Sequence, residues 1–307
     1  MLGKFMKALT WNVNRAGVSR TGLWDFVERE DADIVMLQEV TSIPDRICDR
    51  YRSHLVKPRY FGGHLAPFAS AVLAKGSINT KPFLDSELDW VNRIHTERSG
   101  WILECEVAVA DREQIRVVSV HSPAFPIPQD QWAGKDVGGI KLANNPDLWF
   151  SQILWALLLH ANLANGTSWI VGGDFNSSIL FDYPRDRGNR ENIARLNGLG
   201  LIDCLSSFEG QSVPTFQDTR KNLRHQIDYL YVNGPMRDRL VGACVPNPAV
   251  VFDPSPRLSD HLPIVCEFSN PRNKTAMNSC TVLKGRMRRF STSIPNAVRF
   301  SSRIELP

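Results

Sequence analysis

The chain has 307 residues, 43% of them hydrophobic and 22% charged, a balance that excludes disordered, collagen-like and fibrous classes and allows one large domain or two ordinary ones. Its formal charge of +4 is unevenly placed: residues 270–307 carry eight Lys or Arg against the single acid Glu305, which leaves residues 1–269, with 28 basic and 31 acidic side chains, at −3. A mildly acidic body excludes a broadly basic surface, so any phosphate-binding region has to be local.

In chain order, Ala8–Val13 is the first strand-like run. Thr21 then reads as the cap of a helix with Leu23, Phe26 and Val27 on one face. Strands follow at Asp33–Gln38, Ser70–Ala74, Trp101–Val109 and Ile115–Val120, each rich in Val, Ile or Leu and bounded by turn residues. Asn145 and Pro146 read as N-cap and first helical position of a helix over Asp147–Leu163. That helix is apolar almost all round, which implies burial on several sides. Trp169–Val171 is another strand, Asn189–Leu199 a third helix, and Ile227–Val232 and Leu262–Phe268 complete the strands. Strands outnumber helices and do not alternate with them regularly, so the pattern predicts an α+β class, mixed sheets packed together with helices outside. No repeat of fixed period is present. From residue 271 onward Ser, Thr, Asn and Arg dominate and periodicity fades. The division expected is a body over residues 1–270 and a flexible basic tail over 271–307. The alternative is a docked extension using Phe290, Ile294 and Phe300.

The six cysteines form no C-x-x-C pair, so no zinc or redox motif is read from them, and several sit in apolar runs as small buried thiols would. Met1–Lys7 leads directly into a strand pattern, with no apolar stretch and cleavage site of the secretory kind. The apolar run Ile153–Leu163 is too short to span a bilayer and contains His160 and Asn162. A soluble, cytoplasmic setting with no membrane-spanning segment and no obligate protein partner is the expectation.

Polar groups stand where the apolar runs end. Asn12 lies inside the first, Glu39 ends the second and His121 ends the run at Val120. Asp174 and Asn176 follow Gly172-Gly173, Asp228 is embedded in Gln226-Ile227-Asp228-Tyr229, and Asp260-His261 precedes Leu262. A single acid at a strand end is ordinarily just a strand emerging into water. Several together, with two histidines and two asparagines, point to convergence, because acids at the ends of core strands need partners or a metal. Carboxylates without a cysteine suit a hard cation: magnesium (Mg2+), or manganese or calcium. Histidines exchange protons near neutral pH, and Asn amides donate to charged oxygens. The set suits in-line attack of water on a phosphoester. The P-loop, H-E-x-x-H, G-x-S-x-G and EF-hand patterns are absent from the sequence.

Read in order, Trp11-Asn12-Val13, Leu37-Gln38-Glu39-Val40, Gly173-Asp174-Phe175-Asn176, Thr215-Phe216, Ile227-Asp228-Tyr229 and Ser259-Asp260-His261-Leu262-Pro263 resemble the endonuclease/exonuclease/phosphatase family of deoxyribonuclease I-like, metal-dependent phosphoesterases. The resemblance covers about residues 6–268. It implies a four-layer α/β/β/α sandwich of two mixed β-sheets with the site at one edge. It also implies roles. Glu39 is the main metal ligand, supported by Asn12 and Asp260. Asp174 orients or deprotonates the attacking water and Asn176 donates to phosphoryl oxygens. His261 contacts the phosphate or transfers a proton, with Asp228 holding its ring.

Val120-His121-Ser122-Pro123 resembles the pancreatic-type deoxyribonuclease branch, which makes His121 the acid for the leaving oxygen and Glu97, at what looks like a strand start, its partner. Abasic-site endonucleases of the family carry a Tyr at that place. Asn14 stands where several members have an Asp, and Gln226 where an Arg is common, which implies a weaker or single metal site. Tyr229 after Asp228 counts against the inositol-phosphatase branch. In the loop Pro126–Asn145, Trp132 either stacks on a base or anchors the loop. Arg185, with Arg187 and Arg190, either faces phosphates or is solvated. The function implied is a magnesium-dependent phosphodiesterase, a DNA endonuclease with nucleic acid as substrate. A phosphoesterase for a small molecule or lipid headgroup is the alternative, and a family-like scaffold used only for binding is a third.

Overall fold

The computed structural model describes residues 5–109 and 113–270. The first stretch builds β1 (Met6–Ala16), α1 (Thr21–Glu30), β2 (Ile34–Val40), α2 (Asp45–Cys48), β3 (Arg52–Val56) and β4 (Ala69–Ala74). Next come β5 (Ser77–Asn79), α3 (Asp89–Glu97), β6 (Ile102–Ala108), β7 (Gln114–His121), α4 (Phe150–His160) and β8 (Ser168–Asp174). Then follow α5 (Asn189–Gly198), β9 (Ile202–Asp203), α6 (Cys204–Glu209) and the short pair β10 (Phe216–Gln217) and β11 (Leu223–His225). β12 (Asp228–Val232), α7 (Gly234–Arg237), β13 (Leu240–Cys244), α8 (Pro248–Phe252) and β14 (Ile264–Phe268) complete the described chain.

Two six-stranded sheets result, ordered β13-β14-β1-β2-β4-β3 and β5-β6-β7-β8-β12-β9. Each contains one parallel pair, β1 with β2 and β7 with β8, among antiparallel ones, so both are mixed. The alternation along β1 and β2 shows how they stack. Ala8, Ile34 and Met36 join Val117, Ile170 and Leu230 in the core between the sheets. Leu9, Trp11, Val35 and Leu37 point the other way, onto Leu23, Phe26 and Val27 of α1. The second sheet turns Val118, Val120, Trp169 and Val171 outward onto Trp90 and Ile94 of α3 and Phe150–Leu158 of α4. Strands covered on both faces read as unbroken apolar runs, as these do. The layers are therefore α/β/β/α, as the sequence resemblance implies.

Element ends differ from expectation in ways that bear on the site. Thr21 is the first residue of α1, not its cap; Arg20 precedes it and makes no side-chain cap. α4 starts at Phe150 rather than Asp147. Asn145 Oδ1 accepts from the Asp147 amide, and Leu148 is bridged to Ile127. That extended pairing satisfies backbone groups which a longer helix would have used. Strands β3, β5, β9 and β13 lack a full apolar pattern because they are sheet edges. Of the cysteines, Cys105, Cys204 and Cys266 are buried and Cys48 and Cys244 exposed. The tail 271–307, with Phe290, Ile294 and Phe300, lies outside the described residues. No helix among the described residues is long and apolar enough to cross a membrane.

Gly173 is indispensable to the second sheet. Its φ is +146°, and a Cβ there would lie 1.9 Å from the Val120 carbonyl oxygen on β7. Gly173→Ala is expected to cost on the order of 3 kcal/mol or more, through backbone strain and loss of the β7–β8 pairing. Urea unfolding of the variant checks this; an unchanged midpoint would refute it.

Candidate active site

The pairing register gathers the polar strand ends. His121 lies opposite Asp174 in the parallel β7–β8 pair, and Asp228 lies opposite Asp174 in the antiparallel β8–β12 pair. The three make one row across the end of the second sheet. On the first sheet, Asn12 pairs with Gln38, and the register shifts before Ala16 meets Val40. Within that irregularity Glu39 adopts a φ of +59°. A non-glycine residue there is uncommon, and it is found where surrounding structure imposes it.

The segment before β14 is tied onto β1. Trp11 Nε1 donates to the His261 carbonyl at 2.8 Å, and Ser259 Oγ donates to the Asn12 carbonyl at 2.6 Å. Arg20 donates to the carbonyls of Val13, Asn14 and Leu258. Phe216 bridges to His261 and lays its ring 4.9 Å from the imidazole. These contacts bring residues from both sheets around one cavity of about 340 Å³, lined by Asn12, Glu39, His121, Asp174, Asn176, Asp260 and His261 among others.

Within it, Asp228 accepts from His261 Nδ1 at 2.9 Å, and the Thr215 hydroxyl holds the Asp228 amide at 3.1 Å. His261 Nε2 lies 4.0 Å from both Asp174 and Asp260. Burial opposes a charge on His261, but Asp228 foremost, then Asp174 and Asp260, outweighs it and lifts its pKa to about 10. His261 is therefore an imidazolium whose Nδ1–H is committed to Asp228. Asp174 accepts from Asn12 Nδ2 at 3.0 Å, from the Asn176 amide at 2.9 Å and from Asn176 Nδ2 at 3.2 Å. Burial, with Asp228 adding a like charge, still holds its pKa above the usual carboxylate range. Asn176 Nδ2 also donates to the Ser122 carbonyl at 2.7 Å.

Glu39 faces this group from the first sheet. Its Oε1 lies 3.4 Å from Asn12 Nδ2 and 3.6 Å from His121 Nε2, and Arg15 Nε approaches Oε2 at 3.7 Å. Desolvation raises its pKa despite these donors. His121 is packed between Phe68 and Trp101, with ring centroids at 5.4 and 5.2 Å. Burial, then the charge on His261, pushes its pKa down to about 3, so it is neutral.

Asp174, Asp228 and His261 offer ligand atoms within 4.8 Å of one another, a group that could hold a metal ion. The bond between Asp228 and His261 already occupies that carboxylate and ring nitrogen, however. The oxygens left towards the cavity belong to Glu39, Asp174 and Asp260, a hard-cation donor set. The raised pKa of Glu39 fits this reading, because a divalent cation would restore the charge that desolvation disfavours.

The remaining expected residues fall elsewhere. Glu97 is not the partner of His121: it ends α3, half-exposed, and pairs with Arg98 at 3.7 Å, while His121 Nδ1 has no hydrogen-bond partner among the described residues. Glu97 closes a helix, and a turn over residues 98–101 separates it from β6, which is why the strand-start reading fails. Trp132 anchors its loop, donating to the Ile127 carbonyl at 3.1 Å and packing on the outer core. Arg185 is exposed and outside the cavity lining. Asn14 gives its amide to Asn12 Oδ1 at 3.0 Å, which steers Asn12 rather than substrate. Sequence reasoning missed Arg15, whose side chain stands over Glu39 and the Phe68 ring. Only its place three residues after Asn12, as β1 runs on, could have marked it.

A family model described as the endonuclease/exonuclease/phosphatase family matches residues 9–261. No curated protein sequence matches the chain. Among solved structures, the chain is similar to the 3' phosphatase NExo from Neisseria, bound to product DNA hairpin, with 18% identity over 86% of this chain and 100% of that one and a TM-score of 0.62. It is also similar to the AP endonuclease LMAP from Leishmania major, with 17% identity, coverage of 87% and 89%, and a TM-score of 0.58. An AP endonuclease from Archaeoglobus fulgidus gives 19% identity, coverage of 86% and 99%, and a TM-score of 0.56. At such identities the likeness shows the fold.

Proposed function

This chain belongs to the endonuclease/exonuclease/phosphatase family, and from that premise we propose that it is a divalent-metal-dependent phosphodiester hydrolase that cleaves DNA as an endonuclease. The observation that carries this reading is the Asp228–His261 pair at 2.9 Å beside buried Asp174, facing Glu39 across one cavity.

Bound magnesium would neutralise the phosphate and acidify a water, and Glu39 with Asn12 and Asp260 would hold it. Asp174, its carboxylate aimed by Asn12 and Asn176, orients the attacking water and takes its proton. His261 presents Nε2–H to a phosphoryl oxygen, since Asp228 occupies the opposite nitrogen. Asn176 gives its amide to the phosphoryl group once substrate displaces its present contacts. His121, beside Glu39, serves the leaving oxygen, and Arg15, also beside Glu39, meets the incoming phosphate. Asp228 fixes the His261 ring and is a positioning residue. One structural neighbour, a 3' phosphatase, is bound to product DNA hairpin, which supports nucleic acid as the polymer.

A second reading, a small-molecule or lipid-headgroup phosphoester as substrate, draws on the acidic balance of residues 1–269, since polyanion binding usually rests on many basic contacts. A panel decides between them: plasmid DNA, single-stranded DNA, RNA, sugar phosphates and phosphocholine esters, each with magnesium and with chelator. Nicking of plasmid that chelator abolishes and magnesium restores is expected. Turnover confined to the small esters would favour the second reading, and turnover insensitive to chelator would refute the metal dependence.

A further inference from the structure

Arg15 stands on a corner of β1 that its surroundings hold in an unfavourable shape. Asn14 and Arg15 have φ of +46° and +55°, two successive left-handed residues of which neither is glycine. The corner is tied from several sides. Arg20 donates to the carbonyls of Val13 and Asn14, Asn14 gives its amide to Asn12 Oδ1, and the Thr41 amide and hydroxyl both donate to the Ala16 carbonyl. Backbone strain maintained in this way is concentrated at functional sites. What the corner presents to the catalytic cavity is the Arg15 side chain. Its Nε lies 3.7 Å from Glu39 Oε2, and its guanidinium 5.9 Å from the centre of the Phe68 ring. The side chain is 64% exposed, and an exposed ion pair of that length is weak. Glu39 divides its oxygens: Oε1 faces Asn12 and His121, and Oε2 is left to Arg15. Asp260 also has an arginine beside it, Arg257 at 3.9 Å, but Arg257 is outside the cavity lining.

We propose that Arg15 is an exchangeable counter-ion: it neutralises Glu39 while the cavity holds no cation, and passes to the substrate phosphate when a divalent cation is bound. Arg15 and the cation compete for the same carboxylate, so Arg15 weakens cation binding in the absence of substrate. A phosphodiester relieves that competition, because its anionic oxygens accept two parallel hydrogen bonds from the planar guanidinium. Cation and phosphodiester therefore strengthen each other's binding, by the same factor in both directions. The backbone corner keeps Arg15 in place for both partners, and the exposed, weakly paired side chain lets it change between them. This role rests on Glu39 being a metal ligand, as proposed above.

Calorimetric titration of the whole protein with magnesium, alone and with saturating dimethyl phosphate, tests the exchange. In wild type the diester is expected to tighten magnesium binding about tenfold, within the usual range for coupled sites. Arg15→Gln should bind magnesium alone several-fold more tightly than wild type and lose most of that enhancement. Arg15→Lys, which keeps the charge but not the planar fork, should bind magnesium alone as wild type does and retain part of the enhancement. Arg257→Gln removes a charge at nearly the same distance from a carboxylate, but outside the cavity, and should keep the full enhancement. The Arg15 side chain is exposed, so thermal unfolding of its variants should match wild type. Arg15→Gln with the magnesium affinity and the enhancement of wild type would overturn the exchange. So would an equal loss of enhancement in Arg257→Gln, which would make the effect one of net charge. Absence of magnesium binding in wild type would remove the metal reading of Glu39 together with the exchange, whereas failure of the exchange alone leaves wild-type binding intact.

Discussion

His261→Ala lowers phosphodiester turnover by ~10²–10⁴-fold, the range for loss of a positioned acid–base group. The imidazole is held on three sides, by Asp228 at Nδ1, by the Phe216 ring and through its own carbonyl by Trp11. That fixation leaves Nε2–H free for one task, donation into the cavity. The same burial complicates the test. Removing the ring strands the Asp228 carboxylate, and an unpaired buried charge costs about 3–5 kcal/mol. The double variant Asp228→Asn, His261→Ala separates the two effects, since it removes the stranded charge along with the ring. Its unfolding midpoint should recover towards wild type while its turnover stays low. Recovery of turnover together with stability would show that His261 only holds the fold.

Glu39→Gln reduces turnover by about 100-fold or more and moves the magnesium dependence to higher concentration by at least tenfold. The amide keeps the shape of the carboxylate and its contact with Asn12, so the change is one of charge at a single position. Neither Asn12 nor Asp260 replaces that charge: the first is neutral, and the second is shared with His261 and Arg257 at 4.0 and 3.9 Å. Stability should hardly move, because Glu39 is partly exposed and its pairing with Arg15 is with an outward side chain. Turnover measured against magnesium concentration, with cation binding followed by calorimetry, gives both numbers. A magnesium midpoint equal to that of wild type would remove Glu39 from the metal site.

The double-faced strands were readable because burial on both sides writes itself as continuous apolar sequence, as in Ile34–Leu37 and Val117–Val120. The site residues that end those runs were readable for a related reason: one acid at a strand end is ordinary, but several acids and amides closing core strands together need partners. Arg15 and Glu97 mark the limit. Arg15 reaches the site because β1 bends, with left-handed backbone at both Asn14 and Arg15, and a bend of that kind leaves no trace in residue type. Glu97 failed for the opposite reason. Glu-Arg before an apolar run fits a strand start and a helix end equally, and the amphipathic Trp90, Val91 and Ile94 of α3 decide for the helix. The edge strands were hidden by their polarity, and the aromatic packing around His121 by its assembly from Phe68 and Trp101 on separate segments.

β14 comes last among the described elements yet sits inside the first sheet, between β13 and β1. Trp11 reaches across 250 positions to grip the segment that leads into it. Contacts so distant in sequence form late. During synthesis, Glu39, His121 and Asp174 all emerge from the ribosome well before the imidazolium that completes them, and β1 waits with one edge open. Until nearly all the described residues have been made, the growing chain therefore lacks both the strand that closes β1 and the imidazole that completes the cavity.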